Sequence, residues 1–380
     1  MRVYKFGGAS VKDAEGVRNM AAILRDYKDG ELIVVVSAMS KTTNRLERLT
    51  ALWHQGDSTG KQQLYQEIKQ FHTAILATLL PEGKVAHTAL SDLFNGLWET
   101  LLATPPASYD RAYEMVVPHG ELFSTVIIWH YLISTGLRAD WLDARRLIIT
   151  DDTWREARID WEMTTANLQR CMKTRRDAGS GMAITQGFIG STKDEQTVTL
   201  GREGSDFTAA VIAYALDAVE VVIWKDVPGL MNADPAAFPD AVMLDELSFH
   251  EAIELAYYGA KVIHPKTIKP LQNKNIPLRI KSFEHPDLPG SLIHNLQNYE
   301  QEVPSYIFKE KQTLISFSPK DFSFIAEKNI SEIFSVLSSL NLRANLMQNS
   351  AISFSICLDD QEEKTRELIQ GLQEQFSIRY

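Results

Sequence analysis

The apolar positions of the first 36 residues change period three times. Arg2–Phe6 is a short strand-like run, and Gly7 and Gly8 break it. Val17, Met20, Ala21 and Leu24 then recur at helical spacing, behind Ser10 and Asp13, a pair that resembles a capping box. Leu32–Val36 is unbroken aliphatic sequence, the texture of a strand buried on both faces in a parallel sheet covered by helices. A polar loop follows from Ser37 to Asn44. Residues 45–135 turn mostly helical, with QQLYQEIKQFHTAILATLL the longest segment and Pro105-Pro106 as punctuation. Nothing between 50 and 110 has a catalytic pattern, and that stretch reads as packing.

Strand texture returns at Ala183. AITQGFI, a polar hairpin STKDEQ and TVTL lead to GREGSD and an apolar helix, FTAAVIAYAL. VEVVIW is another buried strand, closed by Pro228-Gly229. LSFHEAIELAYYGAKVI reads as a helix with Ser248 and Glu251 as its capping box, and IPLRIKSF as a last strand. Strands alternating with helices predict a three-layer α/β domain with a mainly parallel central sheet, over 1–298. Residues 299–311 are polar with one proline and suit a linker. From 312 to 380 the order is strand TLISFS, helix FIAEKNISEIFSVLSSL, strands ANLMQN and ISFSICL, helix EEKTRELIQGLQEQF and strand SIRY. This βαββαβ order predicts a small ferredoxin-like α+β module.

Composition narrows the partners. The chain has 380 residues, with 39 Lys and Arg against 49 Asp and Glu, a net charge of −10. That balance argues against nucleic acid as a main partner. Two cysteines, Cys171 and Cys357, make neither a metal cluster nor a disulfide framework and suit a reducing compartment. The start, MRVYKFGG, has no signal-peptide core, and no apolar run is long enough to span a bilayer. The expectation is a cytoplasmic protein with no membrane partner.

Candidate chemistry gathers at glycine-bearing turns. The Walker pattern is absent, and the dinucleotide fingerprint fails because Ile184 stands where the third glycine after Gly179 and Gly181 belongs. Three turns at strand ends remain: Lys5-Phe6-Gly7-Gly8, Gly187–Ser191 and Gly201–Asp206. In open α/β sheets ligands bind beyond the carboxyl ends of the strands, where glycine lets backbone N–H groups approach phosphate. Lys5 there suits charge stabilisation during phosphoryl transfer, or is a solvated lysine. Asp206 suits a catalytic carboxylate or a helix cap. Arg202 suits a bidentate grip on a carboxylate, or is a surface arginine. Glu121, in an apolar helical stretch, needs a partner: a substrate ammonium or a structural ion pair. His119 and His264 read as packing residues, and no metal-ligand set is present.

Taken in order, KFGGASV (5–11), VVVSAMSKTTN (34–44), HGELFS (119–124), TQGFIGS (185–191), TLGREGSD (199–206), IWKDVPGLMNADP (223–235) and LSFHEAIELAYYGAKVIHPKT (247–267) resemble the aspartate kinase family of the amino-acid-kinase superfamily. The tail resembles an ACT module, the amino-acid-sensing domain usually attached to these kinases. The resemblance implies transfer of the γ-phosphoryl of ATP, with Mg²⁺, to the side-chain carboxylate of L-aspartate, giving 4-phospho-L-aspartate for lysine, threonine and methionine biosynthesis. It assigns Lys5 and Asp206 to catalysis and Thr43, Glu121, Phe188, Arg202 and Ser205 to the acceptor. Lys5, Gly7, Gly8, Ser37, Lys225, Asp226 and Lys261 fall on the nucleotide side. It also implies a homodimer or higher homo-oligomer through the ACT-like tail.

Three departures from the family pattern stand out. Glu203 replaces a glycine in the GRxGSD turn. Met231 and Ala236 stand where many members have Tyr and Arg. The tail has one βαββαβ unit instead of two, with Ala351 where lysine-regulated members often have Glu, which predicts weak or absent feedback by lysine or threonine. Glu203 and Ala236 motivate one alternative, a catalytically silent amino-acid-sensing subunit. A fusion with homoserine dehydrogenase is not expected, since no residues remain for it.

Overall fold

A computed structural model describes residues 1–28, 30–258, 263–296, 303–321 and 323–380. The chain divides into two compact units, Met1–Tyr306 and Ile307–Tyr380.

The first unit is built on an eight-stranded sheet. Its spatial order is Glu246–Ser248, Ser291–His294, Leu278–Ser282, Glu220–Lys225, Arg2–Phe6, Leu32–Val36, Met182–Gln186, Ala139–Leu142. All neighbours run parallel except Leu278–Ser282 with Ser291–His294. The continuous aliphatic strand is buried at every position, as a strand covered on both faces must be. Lys5, Val35 and Thr185 stand side by side on one face. Helix Gly204–Ala215 covers that face, between Trp161–Asp177 and Pro265–Asn273. The opposite face carries Phe6, Val36, Ile184 and Trp224 into the main apolar core. There Gln186 donates from Nε2 to Thr125 Oγ1 at 2.8 Å, on helix His119–Ser134. The result is the three-layer α/β fold expected from the alternation.

Residues 42–134 form five helices: Thr42–Gln55, Ser58–Leu79, Lys84–Leu102, Tyr109–Val116 and His119–Ser134. The first begins at Thr42, inside the stretch expected as loop, because Thr42 Oγ1 donates to Met39 O at 2.6 Å and closes the turn. Helix Ala14–Asp26 is capped by Asp13, whose carboxylate accepts from Gly16 N at 2.9 Å. Ser10 is not its partner; its hydroxyl donates to Trp224 O at 3.3 Å. The Ser248/Glu251 box does form, with Glu251 N donating to Ser248 Oγ at 3.1 Å and Ser248 N to Glu251 Oε2 at 2.8 Å. Its helix is described to Tyr258.

The second unit has the four-stranded antiparallel order Ala344–Asn349, Phe354–Asp359, Gln312–Pro319, Phe376–Arg379. Helices Glu327–Ser339 and Glu362–Leu372 supply Ile333, Leu337, Leu368 and Leu372 to a core with Ile315, Phe317, Ile356 and Phe376. This is the ferredoxin-like arrangement. Of residues 299–311, those at 299–302 lie outside the described residues. Tyr306 N donates to Asn232 O at 2.7 Å, and Asn232 Nδ2 to Pro304 O at 3.0 Å.

Candidate active site

Two lysines converge on one buried carboxylate at the carboxyl ends of neighbouring strands. Lys5 closes Arg2–Phe6, and Lys225 closes Glu220–Lys225 beside it. Lys5 Nζ lies 2.5 Å from Asp206 Oδ1, and Lys225 Nζ lies 3.3 Å from Oδ2. Asp206 sits in the first turn of helix Gly204–Ala215 and is 2% exposed; Lys5 is 7% exposed. Burial pushes the Asp206 carboxyl up, but the ammonium groups of Lys5 and then Lys225 outweigh it and hold it below the usual carboxylate range. The cluster therefore carries one net positive charge, two ammonium groups against one carboxylate, facing the end of the sheet. Such a charge, fixed in a dry site, stabilises an anion developing beside it.

Gly7 lies directly under this charge: a side chain there would begin 3.4 Å from Lys5 Nζ. Gly8 permits a closer approach, since an added methyl group would meet Ala38 O at 2.5 Å. The turn at 37–41 is thereby pressed onto Gly8, and Ser40 N donates to Gly8 O at 2.9 Å. Ser37 N is committed to Phe6 O at 3.1 Å. These contacts pack the Gly7-Gly8 turn against the 37–41 turn and put glycine backbone beside Lys5 Nζ.

On the other flank, Glu121 is 2% exposed in the first turn of helix His119–Ser134. Its Oε1 accepts from Ala38 N at 3.4 Å, and its Oε2 is buried with no hydrogen-bond partner among the described residues. Burial pushes its carboxyl up to about 8. At neutral pH it is mostly protonated, and a cation arriving beside it would ionise it. Thr43 lies in the first turn of Thr42–Gln55, half-buried.

Phe188 has φ 68°, an outlier for a bulky residue. It is held there by Thr208 Oγ1, which accepts from its N–H at 2.9 Å, and by Leu200 N, which donates to its carbonyl at 2.8 Å. Ser205 packs against Gly187 so closely that a methyl group there would sit 2.5 Å from Ser205 Cβ. Phe188, Ser205 and Asp206 are thus one packed group. Arg202 and Asp226 are exposed, and no contact draws them into it. Lys261 lies outside the described residues. Glu203 takes φ 52° at the start of the helix, the conformation for which the family's glycine is suited, and its Oε2 is turned away from solvent. Thr208 and Lys266, whose Nζ donates to Leu200 O at 2.9 Å, also support the site: Lys266 lies inside the 247–267 segment without being singled out there, and Thr208 lies just past the 199–206 segment.

Residues 1–282 match the model of the amino acid kinase family. The chain belongs to the amino acid kinase family and, within it, to the aspartokinases. It is 34% identical over 360 residues to lysine-sensitive aspartokinase 3 of Escherichia coli, covering 94% of this chain and 78% of that one. It is 32% identical over 381 residues to the chloroplastic aspartokinase 3 of Arabidopsis thaliana, covering 97% of this chain and 66% of that one. The structure of E. coli aspartokinase III with aspartate and ADP, called its R-state, superposes with a TM-score of 0.83 at 30% identity, covering all of this chain and 85% of that one.

Proposed function

We propose that this kinase transfers the γ-phosphoryl group of ATP to the side-chain carboxylate of L-aspartate. The observation that carries the reading is the Lys5–Asp206–Lys225 cluster beside Gly7-Gly8, in a chain similar to an aspartokinase that binds aspartate and ADP. The acceptor carboxylate is already ionised at neutral pH, so no strong general base is needed. Lys5 neutralises the phosphoryl oxygens as they move, and Asp206 fixes the lysine's position and charge. Lys225, Gly7, Gly8, Ser37, Asp226 and Lys261 make up the nucleotide side. Arg202 takes a carboxylate of the acceptor, Glu121 takes its ammonium group, and Thr43, Phe188 and Ser205 shape the pocket between. Among the described residues no cluster of three or more His, Cys, Asp or Glu side chains is placed to hold a metal. Asp206 would be the carboxylate nearest a Mg²⁺ ion that accompanies ATP, and the ion would supply neutralisation of phosphate charge. The unit after residue 306 is the effector-sensing module.

The test is ADP release with Mg-ATP and L-aspartate, L-glutamate or N-acetylglutamate, with hydroxylamine to trap the acyl phosphate. L-Aspartate-dependent hydroxamate is expected, falling about a hundred- to a thousandfold in Lys5→Ala, the scale of a lost electrostatic stabiliser. Folded protein that turns over none of the three acceptors would overturn the reading.

A further inference from the structure

Arg155 is held through its backbone N–H and both terminal guanidinium nitrogens. Its backbone has φ 66°, a conformation disfavoured for any residue with a side chain. Its N–H donates to Glu114 Oε1 at 2.6 Å. Its guanidinium pairs with Glu47 at 3.0 Å and Asp110 at 3.4 Å, and lies 4.4 Å over the Tyr113 ring. Its carbonyl oxygen backs Gly201 so closely that a methyl group on that glycine would lie 3.1 Å away. Glu114, itself buried, also accepts from Thr199 Oγ1 at 3.0 Å, and Ala157 N donates to Thr199 O at 3.1 Å. One loop residue is therefore tied to helix Thr42–Gln55 through Glu47 and to helix Tyr109–Val116 through Glu114, Tyr113 and Asp110. It abuts Gly201, in the turn that bears Arg202.

Backbone strain maintained by that many anchors marks a position that the surroundings over-determine. Glu47 lies one helical turn after Thr43, on the same face of its helix. The chain of contacts thus runs from Thr43's helix, across Arg155, to the turn bearing Arg202. No residue of the nucleotide flank belongs to it. We propose that Arg155 is a positioning residue for the acceptor: it sets the Leu200–Glu203 turn, and with it Arg202, at a fixed separation from Thr43. The proposal deepens, and rests on, the phosphoryl-transfer reading above.

Arg155→Gly tests it, because glycine accepts the left-handed backbone and keeps the N–H that bonds Glu114, while removing the whole side chain that reaches Glu47, Asp110 and Tyr113. The KM for L-aspartate should rise about tenfold, the scale of a lost charge-assisted hydrogen bond, while kcat and the KM for ATP stay within about twofold. Glu47→Gln should shift the same constant in the same direction, and Arg158→Gln, in the same loop, should shift none. Backbone amides of residues 197–204 should exchange at least about threefold faster in Arg155→Gly, with no fall in melting temperature. An unchanged KM for L-aspartate, or kcat and the KM for ATP moving equally, would overturn the proposal. If the wild-type protein phosphorylates no aspartate, the functional reading fails by itself. The exchange measurement still decides the clamp, and unaltered protection at 197–204 would sink it.

Discussion

At the scale of single residues, the opposite states of two buried carboxyls divide the site. Asp206 is held below the usual carboxylate range by two ammonium groups, whereas burial pushes Glu121 up, with no cation beside it among the described residues. The Glu121 shift is a stability statement. Its folded-state value, about 8, lies above the ordinary 4.5, so the unfolded chain loses this proton first. Its contribution to stability is fully present below pH 4.5 and is lost as pH rises toward about 8. Glu121→Gln should remove that part of the slope in urea unfolding measured across the interval. The same carboxyl should respond to ligand. Calorimetry of L-aspartate binding at pH 7 in buffers of different ionisation enthalpy should report a released proton, and Glu121→Gln should abolish the release. Binding heats that do not depend on the buffer would exclude Glu121 as the ammonium partner.

At the scale of elements, the site depends on how the strand Met182–Gln186 ends against the helix Gly204–Ala215. Gly187→Ala would drive a methyl group into the Ser205 backbone, whose Cα lies 2.8 Å from it. Overpacking of this kind costs about 1–3 kcal/mol. The urea midpoint should fall accordingly, and turnover should fall further than occupancy of the folded state explains, since Asp206 moves with that helix. The individual motifs are legible in the sequence because each is a contiguous strand-end turn. The pairing of Lys5 with Lys225 across Asp206 is not, because it arises from sheet order, which no local pattern encodes. Several elements escape the pattern, among them helix Pro265–Asn273 and strand Ser291–His294, which follows the strand expected to be the domain's last. Helix Trp161–Asp177 buries only Thr164, Leu168, Met172 and Arg175, so its inward stripe has two apolar members. Strand Ala139–Leu142 lies at the sheet edge with one buried residue. Arg155 and Glu114 were equally hidden: an arginine in a polar loop and a glutamate on a short helix carry no signal until the loop is folded onto them.

At the scale of the whole molecule, the kinase unit matches its relatives over nearly its full length, and the second unit has a core of its own. Its turn at 350–353 is closed by Ser350 and Ser353, and Ala351 offers that turn only a carbonyl, which accepts from Ile325 N at 2.9 Å. The turn's own residues, Ser350-Ala351-Ile352-Ser353, include no carboxylate to receive an effector's ammonium group. L-Lysine or L-threonine at low millimolar concentration should therefore leave turnover unchanged, in contrast to what the name of the lysine-sensitive E. coli relative says of that enzyme. A concentration-dependent loss of activity with either amino acid would refute this.

The central position of Arg2–Phe6 also bears on how the molecule is made. Its neighbours in the sheet are Leu32–Val36 on one side and Glu220–Lys225 on the other. Arg2–Phe6 is synthesised more than two hundred residues before Glu220–Lys225, so it is among the last strands to be fully enclosed. At about 5–20 residues per second, the second neighbour emerges some tens of seconds after the first strand. Throughout that interval one hydrogen-bonding edge of Arg2–Phe6 stays open, and Lys5 has neither Asp206 nor Lys225 within reach. The reactive centre is assembled late, from segments synthesised more than two hundred residues apart, so a nascent chain cannot acquire activity piecemeal.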